Sequence, residues 1–253
     1  MSNKTFAMIT DFGFDFSVAS MKALILRSFP DAQVIDIDHS IKSFSILSGA
    51  FVIDRIYNYF PDKTIFICVV DPGVGSKREP IFLDTGNYKF IGPNNGLFHY
   101  ILKDPAVFYK PYAIKKEFMP TKSTTFHGRD LFTPAAIEIA RDNLDVVEPI
   151  SRDVLVSIPA LNSGAFVITY IDGFGNIKTN IPINDNFNKK NTLKININNI
   201  PHLIKISNTF NEVAHGELLC YRGSNNTLEI AANLESAENI LKVNIGDYII
   251  IEK

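Results

Sequence analysis

The chain of 253 residues contains no tryptophan and only two cysteines, Cys68 and Cys220. So few cysteines exclude a disulfide framework and a cysteine-rich zinc site. Cys68 stands inside an apolar run and reads as a buried free thiol. No run is apolar for the roughly 20 residues that a membrane-spanning helix requires. The N-terminal "MSNKTFAMITDFG" has no long apolar core of a secretory signal. A cytoplasmic, reducing location is the expectation. Excess charge of one sign is also missing. The formal net charge of −2 gives no reason to expect nucleic acid or an anionic membrane as partner. What is present is 46% hydrophobic and 21% charged residues, with 20 Phe, the composition of a folded globular protein. This length allows one large domain or two smaller ones.

The first part of the chain alternates in texture. "TFAMIT" (5–10), "QVIDID" (33–38) and "TIFICVV" (64–70) read as strands, the last as one buried on both faces. Between them, residues 17–29 and 45–60 carry apolar residues at helical spacing, and each is followed by a proline stop. This βαβαβ rhythm argues for parallel strands covered by helices. "PIFLDT" and "YKFIG" around "GN" predict a hairpin, "NNGLFHYIL" a short helix, and residues 129–142 a longer helix with Pro134 in its first turn. "SRDVLVSIPALNSG" has linker composition. Beyond it come short β-type runs: "AFVITYID", "TLKININ", "LIKIS", "ELLCYR", "TLEIA" and "DYIIIEK". The expectation is two domains, 1–155 of α/β type and 164–253 as a small β-barrel or sandwich.

Several stretches carry chemistry. In "ITDFGFDFS", Asp11 stands at a strand end, where α/β sheets bind ligands. One carboxylate can accept hydrogen bonds from both hydroxyls of a ribose diol. Asp11 with Asp15 could instead hold a metal, and Asp15 equally suits a helix cap. In "VVDPGVGSKRE", Asp71 ends the third strand, and Arg78 follows seven positions on, within reach of folding back. A tight turn accounts for this spacing; half of a catalytic site is the alternative. In "TFHGRDLFTP", His127 and Gly128 precede a helix whose backbone N–H groups could face an anion. "IDGFGNIKTNI" is a Gly-rich turn, or a binding loop with Phe174 stacking and Asp172 and Asn176 hydrogen-bonding. Ser224 and Asn225 in "YRGSNNTLEI" read first as a hairpin turn. The remaining histidines, His39 among them, have no comparable context.

Taken in order, "ITDFGFDFSVASMK", "VVDPGVGSKR", "GPNNGLF", "FHGRDLFTPAA", "DGFGNIKTNI" and "LEIAAN" resemble the S-adenosyl-L-methionine (SAM) hydroxide adenosyltransferases, relatives of the SAM-dependent fluorinase and chlorinase. The resemblance covers nearly the whole chain. It implies an N-terminal α/β/α sandwich followed by a C-terminal β-barrel. It also implies hydrolysis of SAM to adenosine and L-methionine without cofactor or metal, in a homotrimer with active sites between subunits. The implied catalytic set is Asp71, Arg78 and His127, which the halogenases lack. Asp11 matches the carboxylate on the ribose hydroxyls, Asp15 and Asp172 groups near the methionine moiety, and Phe44 an aromatic beside sugar and base. Phe174 and Asn176 match the C-terminal binding motif, and Ser224 and Asn225 fall loosely at the methionine carboxylate. Gly128 occupies the place of a halide-holding hydroxyl residue in the fluorinase type, but the chlorinase type shares the glycine. Asn94, where Asp is common, and Ala232, where a basic residue is common, put peripheral contacts in doubt. The rivals are a chlorinase-type halogenase, a metal-dependent hydrolase using Asp11, Asp15, Asp71 and His127, and a non-catalytic SAM or adenosine sensor.

Overall fold

The computed structural model describes residues 3–118, 125–159, 165–187 and 191–252. The chain divides into two compact units, residues 1–158 and 159–253. In the first, β1 (Thr5–Thr10), β2 (Gln33–Asp38) and β3 (Ile65–Val69) are separated by α1 (Phe16–Ser28) and α2 (Ile46–Ile56). β4 (Pro80–Asp84) and β5 (Lys89–Pro93) form the expected hairpin, followed by the short α3 (His99–Lys103), β6 (Lys110–Ile114), α4 (Thr133–Ala140) and β7 (Val147–Pro149). The sheet order is β2-β1-β3-β5-β4-β6-β7. β2, β1, β3 and β5 run parallel to one another, and the β5–β4, β4–β6 and β6–β7 pairings are antiparallel, so the sheet is mixed.

Alternation along β1 sorts the two faces. Phe6 and Met8 pack with Met21 and Ile25 of α1 and Ala135, Ala136 and Ile139 of α4. On the other face Phe66 stacks on Phe90, and Phe90 meets Tyr57, just after α2, and Phe98, just before α3. Burying strands on both faces explains why their sequences are continuous apolar runs. All five residues of β3 are buried, at roughly 1.5–3 kcal/mol for each large side chain taken from water. Asp15 caps α1, accepting a hydrogen bond from the Ser17 backbone N–H at 2.7 Å. Ser45 caps α2 in the same manner.

The second unit is a closed barrel of seven strands, in the order β10-β11-β12-β13-β9-β8-β14. These are β8 (Phe166–Ile171), β9 (Ile177–Pro182), β10 (Thr192–Ile197), β11 (Ile200–Ile206), β12 (Leu218–Arg222), β13 (Thr227–Ala232) and β14 (Tyr248–Ile251), with a short α5 (Ala237–Leu241) before the last. Ile168, Ile177, Ile195, Ile230 and Ile249 fill the interior. Closure removes the exposed sheet edges that an open sheet would present. Six strands correspond to the predicted β runs; β9 is the seventh. Part of the Asn-rich stretch (188–190) and of the linker (160–164) lies outside the described residues. No helix among the described residues is long and apolar enough to cross a membrane.

Candidate functional site

In the first unit, the loops after β1 and β3 and the approach to α4 meet at a cavity of about 250 Å³. Its lining includes Asp11, Phe12, Phe44, Asp71, His127 and Gly128. It is therefore built at the carboxyl ends of adjacent parallel strands, the usual ligand position in such sheets.

Asp71 stands two residues beyond β3. The end of that strand is held by Asn95, whose side chain donates to the Val70 carbonyl at 2.9 Å. Pro72, Gly73 and Gly75 then turn the chain, with Val74 N–H bonded to the Asp71 carbonyl and Ser76 N–H to that of Gly73. The turn returns Arg78 to Asp71: its Nε donates to Oδ1 at 2.9 Å and to Oδ2 at 3.0 Å, and Nη2 also donates to Oδ2. Both side chains are nearly buried, at 4% exposure for Asp71 and 9% for Arg78. A buried carboxylate without such a partner would be costly, and losing one member strands the other. Nη1 of Arg78 is buried with no hydrogen-bond partner among the described residues. Arg78 does not line the cavity; Asp71 does.

Nη2 of Arg78 also lies 2.8 Å from Nδ1 of His127. A guanidinium can only donate, so Nδ1 is the acceptor and the neutral ring carries its proton on Nε2; the tautomer is assigned from this contact. Burial, and next the Arg78 charge, lower the His127 pKa from its ordinary value. The imidazole is therefore neutral at neutral pH. His127 caps a five-residue π-helix, Gly128–Phe132, that runs into α4. The expected helix start at 129 is thus a widened turn. Asp130 lies in it, nearly buried and bonded to Arg129, and Thr133 Oγ1 donates to the Gly128 carbonyl at 2.8 Å. Such turns are rare and concentrate at functional sites. A Cβ on Gly128 would come within 2.9 Å of the Phe12 ring and 3.1 Å of the Met21 sulfur. A hydroxyl residue there would have to displace Phe12.

Asp11 accepts the backbone N–H of Phe44 at 2.8 Å. Phe44 adopts φ +69, uncommon for an aromatic residue and of the kind that clusters at ligand sites. Its ring is 71% exposed. Burial, with a smaller contribution from the nearby Asp71 charge, raises the Asp11 pKa, although the Phe44 N–H opposes the shift. Asp15 does not line the cavity; its carboxylate caps α1. Among the described residues, no three His, Cys, Asp or Glu side chains are grouped as metal ligands.

In the barrel, Asp172 and Asn176 brace their own turn. Asp172 Oδ1 accepts the N–H groups of Phe174 and Asn176, each at 3.0 Å, and Oδ2 accepts the Asn176 side chain. Lys178 stands 3.4 Å from the same carboxylate and pairs with Glu229. Gly175 has φ +81, and a Cβ would fall on Ser236, so glycine is required there. This turn holds Phe174 out at 82% exposure. Ser224 and Asn225 are exposed in the β12–β13 turn. Ala232 is buried in the barrel core.

Two histidines that spacing did not single out are structurally engaged. His99 Nδ1 accepts the Ile158 N–H and faces the Ser157 hydroxyl at 2.7 Å. Asn94 donates to the Val154 carbonyl and accepts the Val156 N–H. An aspartate could not donate, so Asn94 suits a clasp on residues 154–158. His39 is fully buried behind the Asp11 loop. Apart from Asp36, three positions before His39, their side-chain hydrogen-bond partners lie 29 to 62 positions away in sequence, and no local pattern marks such contacts.

The profile described as the SAM hydroxide adenosyltransferase N-terminal domain matches residues 6–148, and that of the C-terminal domain matches residues 166–250. A relative from Methanocaldococcus jannaschii, named (R)-S-adenosyl-L-methionine hydrolase, is 34% identical over 96% of this chain and 93% of its own. A more distant relative from Nocardia brasiliensis, named fluorinase, is 26% identical over 91% of this chain and 90% of its own. The crystal structure of an uncharacterized conserved protein from Thermotoga maritima superposes with a TM-score of 0.86, at 29% identity, covering 98% of this chain and all of that one. With both profiles matched in order along the chain, this protein belongs to the SAM hydroxide adenosyltransferase family.

Proposed function

We propose that the protein hydrolyses S-adenosyl-L-methionine to adenosine and L-methionine, by attack of water on C5′ of the ribose. The observation that carries this reading is the hydrogen-bonded Asp71–Arg78–His127 chain, two of whose members line the cavity. The name of the M. jannaschii relative adds a stereochemical element. The L descriptor specifies the amino-acid carbon and the adenosine part has a fixed configuration, so (R) describes the sulfonium. We therefore take the (R) epimer as the preferred substrate.

The sulfonium departs as a neutral thioether and needs no acid. The difficulty is the nucleophile. Asp71 accepts a proton from the water as the C5′–O bond forms and the C5′–S bond breaks, the sulfur keeping the electron pair. The proton is then released to solvent. His127 has Nδ1 occupied by Arg78, so it serves as a donor through Nε2–H and orients the water. Arg78 is a positioning residue: it aims the carboxylate and sets the imidazole tautomer. Asp11 receives the ribose hydroxyls, and the exposed Phe44 ring packs beside sugar and base. Fixing water opposite the leaving group supplies the remaining acceleration. No cofactor or metal takes part in this scheme.

The cavity is smaller than the ~300–1,000 Å³ usual for a complete ligand site. This supports the family arrangement, a homotrimer in which the barrel turn around Asp172, Phe174 and Asn176 and the Ser224–Asn225 turn of another copy complete each site. Two buried free thiols suit a cytoplasmic location. Incubation with each SAM epimer, with and without chloride and chelator, tests the reading by chromatography. Adenosine formed faster from the (R) epimer than from the (S), regardless of chloride and chelator, supports it. 5′-Chloro-5′-deoxyadenosine supports a halogenase, chelator-sensitive turnover a metal-dependent hydrolase, and binding without product a sensor.

The tautomer makes its own prediction. His127→Gln presents an N–H near the Nε2 position and is expected to keep about a tenth of kcat, whereas His127→Ala loses about a hundredfold. Equal losses in the two variants would count against a donor role. Because the His127 pKa lies below its ordinary value, wild-type turnover should hold down through the usual histidine range. It should fall only as the pH drops through the lowered pKa, when Nδ1 takes a proton and releases Arg78.

A further inference from the structure

Behind the Asp11 loop runs a line of polar groups that the proposed chemistry does not use. The Thr10 hydroxyl lies 2.8 Å from Nδ1 of His39, and His39 Nε2 lies 3.1 Å from Asp36 Oδ1. Lys22 of α1 donates to Asp36 Oδ2 at 2.8 Å. At the other end, the Phe12 N–H donates to the Thr10 oxygen at 3.3 Å. Asp36 can only accept while ionised, so Nε2 carries the imidazole proton. In that tautomer, assigned from these contacts, Nδ1 accepts from the Thr10 hydroxyl. Every donor points the same way, from Phe12 through Thr10 and His39 to Asp36, and such chains reinforce one another in a dry interior. Thr10 and His39 are both fully buried.

The backbone adds a second hold. Gly13 N–H donates to the His39 carbonyl at 2.8 Å, and the Phe14 ring lies edge-on to the imidazole at 5.5 Å. The β1–β2 pairing slips by one residue here: Met8 faces Asp36 but Ile9 faces Asp38. A bulge of this kind re-aims side chains next to a site, and in this one Asp36 meets His39 three positions later. Lys22, Asp36, Thr10, the Phe12 and Gly13 N–H groups and the Phe14 ring are thus joined through one residue, His39, from three elements and the loop itself.

We propose that Thr10 and His39 are positioning residues that hold the Asp11–Phe14 loop in its substrate-binding shape. This rests on the reading of Asp11 as the acceptor of the ribose hydroxyls. The test compares Thr10→Val, Thr10→Ser and Asp11→Asn for KM, kcat and amide hydrogen exchange at Phe12 and Gly13. Thr10→Val keeps the shape but removes the hydroxyl. It is expected to raise KM about tenfold with kcat within about twofold, and to speed exchange at Phe12 while β3 amides stay protected. Thr10→Ser should restore both. If Asp11→Asn raises KM and Thr10→Val does not, the inference is overturned. If Asp11→Asn leaves KM unchanged, the ribose role has failed, and exchange alone decides. Faster exchange at Phe12 in Thr10→Val then sustains the loop-holding role, and unaltered exchange refutes it.

Discussion

Replacing Asp71 by Asn is expected to lower kcat about a thousandfold or more while leaving substrate affinity within a few-fold. The asparagine preserves shape and removes the carboxylate that Arg78 aims beside His127. The binding groups, Asp11 and the Phe44 ring, are untouched. Arg78 would then be a nearly buried cation without its carboxylate, so some loss of stability accompanies the variant. Adding Arg78→Met separates the two effects: it relieves the stranded charge and recovers stability without recovering turnover. Single-turnover kinetics with equilibrium binding checks the split. An Asp71→Asn enzyme with near-wild-type kcat would remove the carboxylate from the chemistry.

Asp11→Asn makes the second large prediction, and it moves two quantities in opposite directions. Charge-assisted hydrogen bonds to the ribose hydroxyls are worth about 1.5–3 kcal/mol, so KM should rise about ten- to a hundredfold. The fold should become more stable. Burial, with the Asp71 charge, raises the Asp11 pKa above its ordinary value, so the folded protein holds that proton more tightly than the unfolded chain does. The associated stabilisation exists below the unfolded pKa and is lost as pH rises through the folded one. At neutral pH the ionised Asp11 is therefore a cost that Asn removes, while its carbonyl oxygen still accepts the Phe44 N–H. Thermal melting beside steady-state kinetics checks both signs. A binding residue that also strains the apo protein is a familiar compromise between stability and function.

How much of this was legible beforehand depended on distance along the chain. β1, β2 and β3 fall on the runs expected of them; β1 and β3 are apolar because they are buried between helix layers, whereas the edge strand β2 has no buried residue. Asp71 and Arg78 are seven residues apart, so one turn could be imagined to join them. His127 is 49 positions from Arg78, and only the ordered family motifs brought it into the set. The strands that escaped have physical reasons. β6 begins "KPYAI" and β7 is three residues ending in proline, so neither has a run to show. β9, "IKTNIP", alternates buried and partly exposed residues, yet it follows a turn whose glycines drew the attention. Beyond the predicted β4–β5 hairpin, the antiparallel part of the sheet was hidden for the same reason: short strands paired through distant partners carry no βαβ rhythm. His39 carried no local signal because Thr10 reaches it from 29 positions away. The π-helix at Gly128 was invisible because no residue spacing marks a widened turn, which Thr133 closes through its backbone N–H and its hydroxyl, both on the Gly128 carbonyl.

The central claim is that water, activated beside Asp71 and His127, attacks C5′. Turnover of (R)-S-adenosyl-L-methionine in ¹⁸O-labelled water, with both products read by mass spectrometry, tests it most directly. The account predicts one ¹⁸O in the 5′-hydroxyl of adenosine and none in methionine, at the same rate with or without chloride. Adenosine free of label, label in methionine, or a 5′-halogenated nucleoside in place of adenosine would contradict it.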